Sequence, residues 1–336
     1  MTHTTGSLSL ALALILATNT GCDNGTEVTG GTTQKTTCPI WACGSNSAEL
    51  NSIPIGELSL LPGQNTGLVN DWGARVVDFI GPAGESGFIL DMSHGTLSAT
   101  DGDITLSGQD LVGSRILIED TVADELIDLH ISDFREKKSW TTPSFKVDQF
   151  LFTSYDAQED EHQPICSSAT SAQDSDAWAT IVSRERYSWT DKTVSASDAD
   201  ADGWNTIACA GNALYKMKMV GYEAQPHESN PFATSVEQRQ ATLKMLTADY
   251  CGTGVSFTEN GTDLGWFNAA EWADNTHPSN GQFEAYWNHE GALCLDAPRL
   301  GAEQLEAIAA ECASVGKVLT PCADFDGDYE WATEVP

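Results

Sequence analysis

At 336 residues the chain is long enough for two domains of ordinary size, each with its own core. Its 16 basic and 49 acidic residues give a net charge of −33, divided as −16 over 23–165 (7 bases, 23 acids) and −17 over 166–336 (9 bases, 26 acids). A surface this evenly acidic repels phosphate backbones and anionic headgroups, which excludes sequence-independent nucleic-acid binding. It leaves a solvated acidic coat or, more pointedly, capture of cations or basic partners.

The first 22 residues carry no Asp, Glu, Lys or Arg, and Leu8 to Ala17 is an apolar run of ten. Such a run is too short to span a bilayer as a helix but suits the apolar core of a signal peptide. Asn19-Thr20-Gly21-Cys22 follows it. Gly-Cys just after the apolar run resembles a bacterial lipoprotein signal, which predicts a 1–22 signal peptide and lipidation at Cys22, with simple secretion as the alternative. The expected compartment is the cell envelope, periplasm or outer surface, with the membrane as a partner through the lipid. Residues 23–49 open with DNGTEVTGGTTQKTT, which offers no large apolar side chain and is expected to be a flexible tether.

Setting Cys22 aside leaves Cys38, Cys43, Cys166, Cys209, Cys251, Cys294, Cys312 and Cys322. An even number in an exported chain predicts four disulfides, although order alone does not give their connectivity. Pairing neighbours gives Cys38–Cys43, Cys166–Cys209, Cys251–Cys294 and Cys312–Cys322. No Cys-x-x-Cys occurs, which argues against thioredoxin-like redox chemistry and zinc ribbons.

Residues 50–165 predict a β-rich domain. Short apolar runs (74–80, 87–90, 104–106, 114–119, 126–131, 145–155) alternate with turn signals such as Pro62-Gly63, Gly81-Pro82 and Asp101-Gly102. Their spacing fits an antiparallel barrel or sandwich. The 114–119 and 126–131 runs are candidate partners, placing His130 on the polar face. Residues 166–336 hold seven of the ten tryptophans and show helical spacing at 209–220, 235–248 and 299–314. The fold class expected is α+β: an N-terminal barrel or sandwich followed by a disulfide-stapled α+β domain.

Ala248-Asp249-Tyr250-Cys251-Gly252 resembles the signature of the ADYC domain, a family of bacterial, mostly lipoprotein-type exported proteins of uncharacterised function. Pro164-Ile165-Cys166, Ala208-Cys209-Ala210-Gly211, Gly221-Tyr222, Phe283-Glu284-Ala285-Tyr286-Trp287 and Gly291-Ala292-Leu293-Cys294-Leu295 match further family patterns in order, over roughly 150–300. Where relatives carry two more cysteines this chain has Met217 and Thr242. The resemblance therefore implies a disulfide there in relatives, and side-by-side packing of the two helices here. It supplies no catalytic residues.

The chemistry-bearing candidates are sparse. Gly-x-Ser-x-Gly and His-Glu-x-x-His are both missing, and the seven histidines are scattered. Asp249 and Glu284 are a conceivable glycosidase pair, but in so acidic a chain chance pairs are common, and Asp249 is read as a turn hydrogen-bonder. Asp198 to Gly203 resembles half a calcium loop, yet its twelfth position is Cys209 and not the bidentate Glu. Asp324 to Asp328 is a lesser version. Trp266, Phe267, Trp272, Phe283, Tyr286 and Trp287 offer either a sugar-stacking platform or core filling, and core filling is preferred. The reading adopted has no cofactor, no metal and no catalytic residue: a non-catalytic binding or structural module. A hydrolase of cell-wall or extracellular glycans is the alternative.

Overall fold

The computed structural model describes residues 33–36, 49–50, 53–54, 57–60, 63–64, 66–141, 144–156, 161–166, 177–188, 191–194, 202–224, 234–258, 262–269 and 281–335. Alternation of apolar and polar residues sets up the first sheet. In β3 (Arg115–Asp120) every second side chain is buried, and β2 (Ala74–Ile80) follows the same rule up to a bulge at 76–78. With β1 (Glu57–Ser59), β4 (Glu125–Lys138), β5 (Lys146–Asp156), β6 (Trp178–Ser183) and β7 (Trp204–Cys209) they form one antiparallel path, β1-β7-β6-β5-β4-β3-β2. The strand Glu161–Pro164 adds to β5. Asp120 fixes the β3–β4 turn by accepting from the Val122 and Ala123 amides at 2.8 and 3.0 Å.

The path curls into a nearly closed barrel. Its end strands β1 and β2 do not pair; the 67–70 segment wedges between them. The Gly67 amide donates to Val76 O of β2 at 2.9 Å, and Asn70 Nδ2 donates to Glu57 O of β1 at 2.8 Å. A Cβ on Gly67 would stand 1.8 Å from Ser59 O, so only glycine fits between the strands. Gly67→Val is expected to open the seam and cost about 1–3 kcal/mol, the range for overpacking, measured by urea denaturation. Unchanged stability would show the wedge to be passive. Inside the barrel, Leu58, Val76, Phe79, Ile116, Ile118, Leu129, Ile131, Phe150, Phe152, Ile181 and Ile207 form one core.

β6 and β7 are buried along their whole length, because both faces are covered. Ile181 and Ile207 point into the barrel, while Val182 and Ala208 join a second core on the other side. There α1 (Ala213–Met219) lies on β6 and β7, and α2 (Val236–Thr247) packs against α1. This agrees with the side-by-side helices implied by the family pattern; Met217 and Thr242 are both fully buried. Ser235 starts α2 with a capping box, accepting from the Gln238 amide while Gln238 accepts from the Ser235 amide. Beyond α2 lies a second antiparallel sheet in the order Thr33–Thr36, β8 (Thr262–Asn268), β10 (Trp331–Val335), β9 (Gln282–Asn288), Gly291–Ala292. α3 (Leu305–Ser314) follows a short 3-10 turn. The molecule is thus a barrel, a helical layer and a smaller sheet, mostly β with three α-helices whose bounds fall among the described residues, and the barrel is the form taken rather than the sandwich.

Four readings of the sequence are corrected by these facts. The composition change at Cys166 is not a break in the sheet, because β6 and β7 complete the barrel begun by β1–β5. Within the expected 23–49 tether, Thr33–Thr36 pairs with Thr262–Gly265; an edge strand needs backbone hydrogen bonds, not apolar side chains. Cys209 ends β7 and pairs across to Ala179, so the helix begins at Ala213 and not at the cysteine. The last correction concerns the disulfides. Cys166–Cys209 is bonded, but the other described pairs are Cys251–Cys312 and Cys294–Cys322. α3 folds back so that Cys312 lies on the turn after α2, with a Cα–Cα distance of 4.7 Å to Cys251. Cys22, Cys38 and Cys43 lie outside the described residues.

Candidate functional site

The stretch 248–252 sits at the centre of the second core, and each residue has a distinct task there. Ala248 takes the left-handed conformation, φ 51°. It closes α2 with amide bonds from Ala248 to Met245 O (3.2 Å) and from Asp249 to Lys244 O (3.0 Å), a Schellman end. Glycine is usual at such a position, but the Ala248 methyl is fully buried in the core. Asp249 then shapes the next turn. Its carboxylate accepts from the Thr253 amide at 3.0 Å, the Gly254 amide at 2.8 Å and Lys244 Nζ at 2.5 Å.

Tyr250 is wholly buried, stacked on Trp287 with ring centroids 5.1 Å apart and tilted against Phe257. Its hydroxyl donates to Glu284 Oε1 at 2.6 Å and accepts from the Arg299 amide at 2.9 Å. Arg299 grips Glu284 with two parallel bonds of 3.1 Å. Its remaining protons reach Met245 O at 3.0 Å and Leu246 O at 3.4 Å, placing a cation at the carbonyl end of α2, where the helix dipole favours it. Burial, and next the Glu284 charge, raise the Tyr250 hydroxyl well above its ordinary value, so Tyr250 stays a neutral donor. Cys251 fastens the turn to α3. The Gly291 backbone crosses directly over it: a Cβ there would stand 2.7 Å from Asp249 O and 2.8 Å from Tyr250 O, at φ +106°.

Among the described residues four ion pairs are buried to this degree: Lys244–Asp249, Arg299–Glu284, Arg239–Glu185 and Lys218–Glu223. The carboxylates considered as a glycosidase pair, Asp249 and Glu284, are both fully buried and each is held by its own cation. Neither faces a cleft. The sequence reading missed Arg299, Glu185, Arg239, Lys218 and Glu223.

A cavity of about 160 Å³ lies where the 93–96 turn meets the start of β5, lined by His94, Glu136, Lys146, Asp148, Lys218 and Glu223 among others. Lys218 Nζ binds Gly95 O, Ile181 O at 2.6 Å and Glu223 at 2.9 Å. All three ammonium protons are therefore used within the wall. Lys146 is paired with Glu136 on the rim.

The aromatic candidates divide. Trp266, Phe267 and Trp287 are buried as core filling. Phe283 and Tyr286 face outward and are half-buried, with Phe325 and Tyr329 of the tail laid against Tyr286 at centroid distances of 5.3 and 4.3 Å. Asp202 pairs with Arg184 at 3.5 Å, while 198–201 and Trp272 lie outside the described residues. His130 lies on the barrel's outer face, as expected from the alternation.

A family model for the ADYC domain matches residues 108–301. The match begins before β3 and ends just after Arg299, so it takes in most of the barrel, α1, α2 and the whole buried network. No curated protein and no solved structure matches the chain.

Proposed function

Because the chain belongs to the ADYC-domain family, we propose that it is an exported, lipid-anchored envelope protein whose 248–252 signature serves the fold, and that it acts as a non-catalytic binding or structural module. One observation carries this reading: Asp249, Tyr250, Glu284 and Arg299 are 0–6 % exposed and hydrogen-bonded to one another or to the turn they shape. A catalytic acid or base has to touch substrate; these side chains touch only the protein. Export is supported by three disulfides, which persist in oxidising compartments, together with the apolar leader and Gly21-Cys22.

Intact-mass analysis of the mature protein, with and without reductant, tests the anchor and the thiols together. The expected result is a chain beginning at Cys22 with an acyl addition and no free thiol before reduction. A mature chain without lipid would leave simple secretion, and free thiols would remove the support for export. For the non-catalytic reading the decisive assay is release of reducing ends from purified cell-wall glycan. Turnover by the wild type that is lost in Asp148→Asn would make the 160 Å³ cavity an active site and sink the proposal.

A further inference from the structure

Strand register brings two histidines together on the outer face of the barrel. His130 of β4 stands opposite Thr153 of β5, and His162 of the added strand stands opposite position 155, two residues further along β5. The two imidazoles therefore flank β5 from either side and reach toward each other over Thr153. That residue is short enough to leave room, and its hydroxyl is already engaged with Ser132 at 2.5 Å. The rings meet edge to face with centroids 4.4 Å apart.

Behind this pair stands Asp128, two residues along β4. Its Oδ1 lies 3.3 Å from His130 Nε2, is shielded from solvent and accepts no hydrogen bond of good geometry. Its Oδ2 is held by Arg115 Nη1 at 2.7 Å, which keeps the carboxylate from turning away. A carboxylate behind one nitrogen of an imidazole leaves the other nitrogen for a metal and raises its basicity.

We propose that His130 and His162 together bind a divalent transition cation of the zinc or copper type, with the Asp128 carboxylate orienting the His130 ring from behind its Nε2. Two imidazoles favour cations of borderline softness over Ca²⁺ or Mg²⁺, and the net charge of −33 gathers cations of every kind at the surface. The site supplies two protein ligands and leaves the remaining positions to water or a partner. Among the described residues no three His, Cys, Asp or Glu side chains are grouped as a metal cage, so the proposal rests on the two imidazoles alone.

The test is calorimetric titration of the full, disulfide-intact chain with Zn²⁺ in a large excess of Ca²⁺, which occupies sites made of surface carboxylates alone. One Zn²⁺ equivalent is expected to bind. His130→Ala and His162→Ala should each abolish that event, Asp128→Asn should weaken it by about tenfold or more, and His289→Ala should leave it unchanged. Conservative His130→Gln and His162→Gln variants, with melting temperatures compared without metal, separate loss of binding from loss of fold. On the wild type, electron paramagnetic resonance of the Cu²⁺ form should show two imidazole nitrogens. Zn²⁺ uptake displaced by Ca²⁺, or uptake that persists in both histidine variants, would overturn the proposal.

Discussion

Arg299→Met is expected to lower the unfolding free energy by about 3–5 kcal/mol, the cost of leaving one charge of a buried pair without its partner. The loss falls on a connected network. Glu284 keeps only the Tyr250 hydroxyl, and the last carbonyls of α2 at Met245 and Leu246 lose a charged donor. Glu284→Gln added to Arg299→Met should recover part of that loss, because the amide oxygen still accepts from Tyr250 and no bare charge remains. Chemical denaturation of wild type, both single variants and the double variant gives the coupling directly. If Arg299→Met costs less than about 1 kcal/mol, the pair is behaving as a surface salt bridge and the account of the signature as a structural keystone fails.

Removing Cys251 and Cys312 together by Ala substitution should cost about 4 kcal/mol, because the bond closes a loop of 61 residues in the denatured chain. It also releases α3 from the 248–252 turn, so the loss is expected to extend to ordering of 302–322, visible as faster amide hydrogen exchange there than in β2–β5. Non-reducing peptide mapping checks the connectivity on its own: a Cys251–Cys294 peptide would contradict the fold described here, and a Cys251–Cys312 peptide supports it.

The barrel strands were legible because alternation is a local signal: Ala74–Ile80 is found at the predicted bounds, and 114–119 and 126–131 pair as expected. Closure of the barrel was not legible. It depends on β6 and β7, whose unbroken burial removes alternation, and on Gly67, whose role is set by a backbone 8 residues away in the chain at Ser59. The buried network was half visible. Asp249 and Tyr250 stood out by motif, while Arg299 lies 49 residues from Tyr250 and resembles a surface arginine after Pro298. A signal was present in the scarcity of bases. Of the nine in 166–336, six (Lys192, Lys216, Lys218, Arg239, Lys244 and Arg299) are buried. In a chain this acidic, cations contribute little at the surface as neutralisers of so large a charge, and each one retained near an apolar run is a candidate for an interior pair. Spacing also misled at 209–220, where apolar residues three and four apart continue across the end of a strand and the start of a helix.

The interleaving of Cys251–Cys312 with Cys294–Cys322 has a consequence for biosynthesis. A polypeptide delivered amino end first exposes Cys166 and Cys209 in succession, and joining consecutive thiols gives the native bond. The same habit applied next would join Cys251 to Cys294, a mispaired species that must be undone before Cys312 arrives at its place. An oxidase acting alone is therefore a poor foldase for this chain. Its yield should depend on thiol–disulfide reshuffling, a slow event on the scale of seconds to hours unless catalysed, and hence on an isomerase being present wherever its thiols are oxidised.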